Sequence, residues 1–364
     1  MPENPIRYRA IDGLRFMAAM GIVARHYAHF SENPMWNGLL AKTYLFVDLF
    51  FIISGFVIAM AYGNGLHTLE HYGTFLQNRL ARIYPLHLLV FLAFLATDIA
   101  AWTGLTAPHE AHVYDPVAIA SNLAMVQAWG VTDRLWYNYP SWSISAEWFL
   151  YLLFPLVAVA MRRGGSLALF AAAALAVAIL EALVRAGLLQ GWTSLTYEFG
   201  FLRAIPTFLI GAGLFCAVQR SSALFRSFAW AWAFFLGAIA AMAAQWDDHI
   251  IIALFVLTIA AATGAERAGA KGFLTGSLMG RLGDWSYAVY LIHLILGTAL
   301  VVNIGQRLLH LHGIALDAYI LAAIGLVTGL AGLTYQYFEL PARRYLRARA
   351  QLPSETALAM APTA

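Results

Sequence analysis

The chain has 364 residues, of which 61% are hydrophobic and 11% are charged, and its formal net charge is +3. Because soluble domains carry about 25% charged residues, this composition excludes a soluble globular protein and predicts an all-α, polytopic integral membrane protein. The small net charge gives no reason to expect a nucleic-acid partner. A single cysteine, Cys216, excludes a disulfide within the chain and a cysteine-based zinc site.

Ten apolar segments are long enough to cross the hydrocarbon core of a bilayer, which takes about 17–25 helical residues. They cover residues 11–30, 44–62, 83–104, 143–161, 166–186, 204–220, 227–246, 249–265, 283–304 and 316–338. If the N-terminus is cytoplasmic, the inner segments hold 15 of the 22 lysines and arginines and the outer segments hold five. This bias predicts a bundle of about ten transmembrane helices with both termini in the cytoplasm.

Three segments outside the apolar stretches have distinct compositions. The inner loop 63–82 contains "HTLEHYGTFLQNRLARIYP" and is expected to form an interfacial helix that leads into the third span. The outer loop 105–142 is long and rich in aromatic and polar residues, which favours a functional role. Residues 346–364 are expected to form a disordered cytoplasmic tail.

The first span carries two ionisable side chains, Arg15 and His26, eleven residues apart. Eleven helical steps bring them to nearly the same face, about 16 Å apart along the axis. A charged side chain near the bilayer centre costs at least about 2.5–3.5 kcal/mol, so intramembrane ionisable residues usually serve a function. A polar stripe is therefore predicted to run from the cytoplasmic end of this helix towards the far side.

Two acidic residues are predicted to lie at a depth similar to that of His26. Asp48 would be about 6 Å and Glu147 about 8 Å from the outer ends of their helices. A histidine and carboxylates at one level suit a general base whose ring is oriented by a carboxylate. The alternative is a structural ion pair or hydrogen-bonded cluster that holds the helices together. For His293, inside the ninth span, a structural and a functional role are equally open.

Arg79 and Arg82 are three residues apart at the inner surface, in "NRLARIYP". They would either set the topology and bind lipid headgroups or hold an anionic cytoplasmic substrate such as a nucleotide phosphate. The nearby "HTLEH", from His67 to His71, fits an inverted zinc-peptidase pattern. Since no partner glutamate motif accompanies it, no metal site is expected.

Six blocks of the sequence resemble, in order, those of the membrane-bound acyltransferase family 3. They are "YRAIDGLRFMAAMGIVARH", "VDLFFIISGFVIA", "RLARIYPLH", "SWSISAEWFLYLLFPL", "LGDWSYAVYLIHLI" and "YFELPARR". The first block has the family's basic residue, ten further residues and a histidine. The resemblance covers residues 8–345, which are expected to form one transmembrane domain.

The resemblance implies a bacterial inner-membrane enzyme that takes an acyl group, usually acetyl, from cytoplasmic acyl-coenzyme A. The acceptor would be a hydroxyl of a glycan or similar molecule, such as a cell-surface polysaccharide, and no permanently bound cofactor is expected. The resemblance places the essential pair of the family on Arg15 and His26. It places the family's two paired arginines on Arg79 and Arg82, and its acidic position on Glu147.

On this interpretation the three arginines bind the donor, with Arg15 deeper than the other two. His26 acts as a general base on the acceptor hydroxyl or as a transient acyl carrier, and Asp48 or Glu147 orients its ring. Trp136, Tyr139 and Trp142 would either stack on sugar faces or anchor the protein at the membrane interface.

The alternative function is a proton-coupled secondary transporter that uses the intramembrane histidine, glutamate and arginine. Such a protein would be expected to show repeated halves, and none is visible in the sequence.

Overall fold

The computed structural model describes residues 8–63, 65–103, 115–220 and 224–350, apart from the side chains of residues 220, 349 and 350. These ranges are largely helical and contain no β-strand. Their α-helices are α1 (Arg9–Ala28), α2 (Pro34–Leu39), α3 (Phe46–Tyr62), α4 (Leu69–Trp102), α5 (Pro116–Leu123), α6 (Trp142–Arg185), α7 (Gly200–Arg220), α8 (Phe228–Ala243), α9 (Asp248–Arg267), α10 (Ser277–Gly297), α11 (Gly313–Thr334) and α12 (Leu340–Ala350). A π-helical segment, Thr298–Leu308, follows α10, and a second one, Tyr335–Glu339, joins α11 to α12.

The structure confirms an all-α, polytopic membrane protein. Within the described ranges, seven helical stretches are long and apolar enough to cross a membrane, and α8 is apolar but only 16 residues long. Each of the ten predicted apolar segments falls mainly on a helix, and α6 carries two of them. The number of crossings and the cytoplasmic position of the termini stay predictions.

Helix α6 changes direction at Gly165, between the two apolar segments that it contains. Gly165 has φ 60° and ψ −144°, a conformation that residues with a Cβ atom avoid. The sequence predicted two separate apolar segments with a break between them. In the structure a single residue, Gly165, forms this break in place of a loop.

Helix α4 is longer than the sequence suggested. It begins after Thr68, whose side chain accepts a hydrogen bond from the backbone N–H of His71, and continues for 34 residues. The predicted interfacial helix and the third span are therefore one continuous helix, which carries Arg79 and Arg82 in its first half.

The predicted disordered tail is also partly wrong. Helix α12 extends to Ala350, so residues 346–350 are helical. Residues 351–364 lie outside the described part of the chain.

The backbones of α3 and α7 lie unusually close together. A Cβ atom added at Gly211 would lie 1.9 Å from the carbonyl oxygen of Ile52, and one added at Gly55 would lie 2.0 Å from that of Phe208. Small residues permit such close approach between membrane helices, which gain stability from packing rather than from the exclusion of water. This contact sets the rotation of α3, whose Asp48 meets Arg203 of α7 and whose Ser54 meets Glu147 of α6.

Replacing Gly211 with valine is expected to lower the thermal stability of the purified, detergent-solubilised protein. The new side chain cannot be accommodated without moving backbone atoms, and overpacking of this kind typically costs about 1–3 kcal/mol. Gly325→Ala is the matched control, because no atom lies within 4 Å of its added Cβ. Equal melting temperatures for Gly211→Val and the wild type would contradict this packing.

Candidate active site

Two histidines from different helices form a hydrogen-bonded pair at the centre of the candidate site. His26 lies near the C-terminal end of α1, and its Nδ1 is 2.7 Å from Nε2 of His293 on α10. The two rings are stacked, with centroids 5.0 Å apart and an angle of 9° between their planes. His293 is fully buried, whereas His26 is half-buried.

The hydrogen bonds of this pair define which nitrogen of His26 is free. Nδ1 of His293 lies 2.8 Å from the carbonyl oxygen of Tyr290, which can only accept, so this Nδ1 carries the proton. Nε2 of the neutral His293 is then an acceptor, and Nδ1 of His26 must donate to it. The remaining nitrogen, Nε2 of His26, therefore has a free lone pair, which is what a general base or a nucleophile requires.

Neighbouring side chains hold His293 in place. The hydroxyl of Tyr27 donates to the carbonyl oxygen of His293 at 2.8 Å, and the side-chain amide of Asn138 donates to that of Leu291 at 3.2 Å. The Tyr27 ring fits against α10 because position 297 is glycine, where an added Cβ would lie 2.7 Å from the ring. The position of the histidine pair is thus set by buried contacts on three sides.

Asp48 does not orient His26. Its carboxylate accepts two hydrogen bonds from Arg203 on α7, at 3.2 Å from Nε and 2.6 Å from an Nη atom. Asp48 is 0% exposed and Arg203 is 2% exposed, so this is a fully buried ion pair. The guanidinium also lies 5.2 Å from the ring centroid of Trp142. Asp48 thus neutralises Arg203, and this pairing matches the structural alternative for Asp48.

Glu147 also makes its hydrogen bond elsewhere. Its carboxylate accepts a hydrogen bond from the hydroxyl of Ser54 on α3. Glu147 lines a cavity of about 230 Å³, and within the described residues neither Glu147 nor Asp48 is hydrogen-bonded to His26. The expectation that a carboxylate orients this ring is therefore wrong, and His293 occupies that position. A part for Glu147 in the chemistry stays a prediction.

The cavity that contains Glu147 connects the residues predicted to bind the donor. Arg15, Arg79 and Arg82 all line it, although they come from α1 and α4. Ser143 and Tyr290, whose hydroxyl oxygens are 2.7 Å apart, also line it. Tyr290 is one helical turn from His293, although neither histidine of the pair is among the described residues that line the cavity.

The three predicted arginines differ in their partners. Arg82 forms an ion pair with Glu339, the last residue of the second π-helical segment, and Arg15 pairs with Asp12 at 3.3 Å. Arg79 donates a hydrogen bond to the hydroxyl of Tyr62 at 3.2 Å. Glu339 was not identified from the sequence, because its helix and α4 are far apart in the chain and only the fold brings them together.

The aromatic residues of the predicted outer mouth do not all face outwards. Trp142 is buried, whereas Tyr139 is exposed and its ring lies edge-on to His26, with centroids 5.8 Å apart. Trp136 donates to Asp133 at 3.2 Å in the same loop. Hydrogen bonds from Arg134 and then Trp136 lower the pKa of the exposed Asp133 carboxyl. Of the three candidates for sugar stacking, Tyr139 is the one beside the histidine pair.

The H-x-x-E-H pattern lies away from this site, at the start of α4. His67 precedes the capping residue, and His71 is exposed in the first helical turn. Among the described residues, no three histidine, cysteine or acidic side chains are grouped so that they could hold a metal ion.

Comparison with known proteins assigns the chain to a family. The family model described as an acyltransferase domain matches residues 8–335. The chain belongs to this acyltransferase family. The resemblance seen in the six sequence blocks is thereby confirmed, and the enzyme is favoured over the alternative transporter.

Curated relatives agree with this assignment. Acyltransferase MdmB of Streptomyces mycarofaciens is 28% identical to this acyltransferase over 339 residues, which are 85% of the chain and 82% of the relative. The O-acetyltransferase OatA of Staphylococcus aureus is 30% identical over 169 residues, which are 42% of the chain and 25% of the relative. Protein 2 in picA locus of Rhizobium radiobacter is 43% identical over 108 residues, covering 29% of the chain and 53% of the relative. No solved structure matches significantly. The family and these names mark the protein as a membrane-embedded O-acyltransferase.

Proposed function

We propose that this acyltransferase moves an acyl group, in the first instance acetyl, from cytoplasmic acyl-coenzyme A to a hydroxyl of a glycan or similar acceptor, with cell-surface polysaccharide as the expected class. We place it in the bacterial inner membrane with both termini in the cytoplasm. The basic residues concentrated in the proposed inner loops support this orientation. The arginines that line the cavity support a phosphate-bearing donor.

The observation that carries the proposal is the free Nε2 of His26. The pair of hydrogen bonds through His293 to the carbonyl oxygen of Tyr290 fixes the proton on Nδ1 of His26. Nε2 is then available on a half-buried ring next to the exposed Tyr139, where an acceptor can approach.

In the direct route, Nε2 of His26 removes the proton of the acceptor hydroxyl as its oxygen attacks the thioester carbonyl. A tetrahedral oxyanion forms and collapses, the C–S bond breaks, and the ester of the acceptor is released. The proton on Nε2 then passes to the coenzyme A thiolate, so that the base is regenerated and the products are an ester and a thiol.

In the alternative route, Nε2 itself attacks the thioester and expels the thiolate. The acceptor oxygen then attacks the acyl-histidine, the bond from Nε2 to the acyl carbon breaks, and Nε2 recovers its lone pair. The proton released by the acceptor hydroxyl balances the one that the expelled thiolate takes up, so the products are again an ester and a thiol. The two routes differ in whether the protein becomes labelled when donor is supplied without acceptor.

The test uses membranes that contain the protein, radiolabelled acetyl-coenzyme A and candidate glycans. Label that becomes covalently attached to a glycan, in proportion to the amount of wild-type protein, supports the proposal. Uptake of label without covalent attachment supports the transporter instead. Label on the protein in the absence of glycan, lost in His26→Gln, identifies the acyl-histidine route.

Replacing His293 with leucine is expected to lower kcat about 5- to 150-fold. The substitution leaves Nδ1–H of His26 without its acceptor and removes the preference for one tautomer. An unpaired buried donor costs about 1–3 kcal/mol. His293→Gln should retain most of the activity, because its side-chain oxygen can accept the same hydrogen bond.

The KM for acetyl-coenzyme A should change little in either variant, since His293 is buried behind His26 and acts as a positioning residue. Both variants are compared at equal amounts of folded protein. Equal loss in the leucine and glutamine variants would show that only the packing of His293 matters.

A further inference from the structure

The lining of the cavity holds more positive charge than the sequence blocks indicate. Of the described residues that line it, five are arginines and one, Glu147, is acidic. The five are Arg15, Arg79, Arg82, Arg343 and Arg347. An adjoining pocket shares Arg15 and Arg343 and adds Asp12 and Asp284 to its lining.

Among the described residues, three arginines of this set, Arg79, Arg343 and Arg347, have no acidic side chain within 4 Å. Arg82 is neutralised by Glu339, and Arg15 contacts Asp12. Within the described part of the chain, Arg343 and Arg347 have neither an acidic partner within 4 Å nor a hydrogen bond, and Nε of Arg347 is buried without an acceptor. Nε of Arg79 is likewise buried and unbonded. Three guanidinium groups thus have donors that nothing in the described chain accepts.

Helix α12 brings these groups together. Arg343 and Arg347 are four residues apart, so they lie on one face of the helix. The ion pair between Arg82 and Glu339 fixes the start of α12 against α4, the helix that carries Arg79. Arg82 is therefore engaged in holding the two helices, and the face of α12 supplies the free cations.

Unpaired guanidinium groups that share a cavity repel one another and are poorly solvated when partly buried. A phosphate or diphosphate relieves both effects, because its oxygens accept the forked donors of several arginines at once. The cavity volume of about 230 Å³ is smaller than that of a typical drug-sized site. It suits a slender thioester arm inside, with the bulky phosphorylated part of the ligand beside the arginines.

We propose that Arg79, Arg343 and Arg347 form a phosphate-binding site that holds the charged end of the acyl donor, with Arg82 and Glu339 as the pair that positions α12. This assignment rests on the proposed acyl-coenzyme A donor, and it replaces the expectation that Arg79 and Arg82 form the clamp together. Phosphates of lipid headgroups have the same chemistry, and the experiment separates the two sources.

The experiment compares two donors that carry the same thioester, acetyl-coenzyme A and S-acetylpantetheine, which lacks every phosphate. In the double variant Arg343→Gln/Arg347→Gln, the ratio of kcat/KM for acetyl-coenzyme A to that for S-acetylpantetheine is expected to fall at least tenfold. Most of the change should be a rise in KM for acetyl-coenzyme A, because contacts far from the reacting carbonyl are similar in the ground and transition states. Misfolding of the variant would lower kcat/KM for both donors by the same factor and leave the ratio unchanged.

Arg344→Gln is the matched control. Arg344 is exposed, lies next to Arg343 in the same helix and lines neither pocket, so its ratio should equal that of the wild type. All variants are reconstituted both in vesicles of neutral lipid and in vesicles containing an anionic phospholipid. A ratio in the double variant that equals the wild-type ratio, at a kcat/KM for S-acetylpantetheine close to that of the wild type, overturns the assignment to the donor. A rate that instead depends on the anionic lipid, and loses this dependence in the double variant, assigns the arginines to headgroups.

If acetyl-coenzyme A is not the donor, the experiment gives a different result. A wild-type protein that uses neither acetyl-coenzyme A nor S-acetylpantetheine, but transfers acyl groups from another donor, overturns the proposed function. A wild-type protein that uses S-acetylpantetheine as well as acetyl-coenzyme A keeps the thioester chemistry and overturns the phosphate site alone.

Discussion

Acyl transfer by the His26→Ala variant is expected to fall to background in membranes that contain normal amounts of the protein. Removing a general base typically lowers the rate by about 10²- to 10⁴-fold, and here the same atom also serves the acyl-carrier route. The rate is measured as label transferred from acetyl-coenzyme A to the acceptor. Folding should be largely preserved, because His26 is half-buried and its hydrogen bond is to His293.

His29→Ala is the control for this variant. His29 lies one turn further along, is exposed and contacts the carbonyl oxygen of Arg25, so its loss removes an imidazole without touching the pair. It should retain near-normal activity. Near-normal transfer by well-expressed His26→Ala would remove this histidine from the mechanism.

The Asp48→Ala variant is expected to lose about 3–5 kcal/mol of folding stability, because it leaves the guanidinium of Arg203 buried without its carboxylate. The loss should appear as a much lower melting temperature in detergent and a lower yield from membranes. Removing both charges, in Asp48→Leu/Arg203→Met, should recover most of the stability, since an apolar pair avoids the unpaired buried cation.

The double variant also separates structure from catalysis. If Asp48 serves only to pair with Arg203, the stabilised double variant should transfer acyl groups at a rate close to that of the wild type. A double variant that is stable but inactive, together with an Asp48→Asn variant of normal stability, would return this carboxylate to the chemical role expected from its depth.

The sequence predicted the positions of the helices well, because long apolar stretches have few alternatives in a bilayer. It could not predict which helices touch. The similar depths predicted for Asp48 and His26 suggested a partnership, but depth says nothing about the face of a helix that meets a neighbour. Arg203, 155 residues further along the chain, reaches Asp48 only because α3 and α7 pack through glycines.

The candidate active site was also predicted only in part. The spacing of Arg15 and His26 placed both on one helix face, and the structure has both on α1. The role of His293 could not be predicted from the sequence, because only the two hydrogen bonds of its ring in the structure fix the tautomers of the pair. In the sequence, the arginines of α12 are part of the positive charge at the predicted inner surface. Membrane proteins carry such charge to set their topology, so it does not by itself indicate a ligand site. Their lack of counter-ions becomes visible only when Glu339 is seen to face α4.

The two stacked histidines differ from a carboxylate–histidine couple in what happens once a proton arrives. Among the described residues no carboxylate contacts either ring, so the imidazolium formed on His26 has a neutral neighbour rather than an anion beside it. In the proposed direct route, the absence of a counter-charge makes this imidazolium costly and short-lived. We therefore expect the proton to pass to sulfur as the carbon–sulfur bond breaks. Such a course predicts a solvent deuterium isotope effect on the turnover rate.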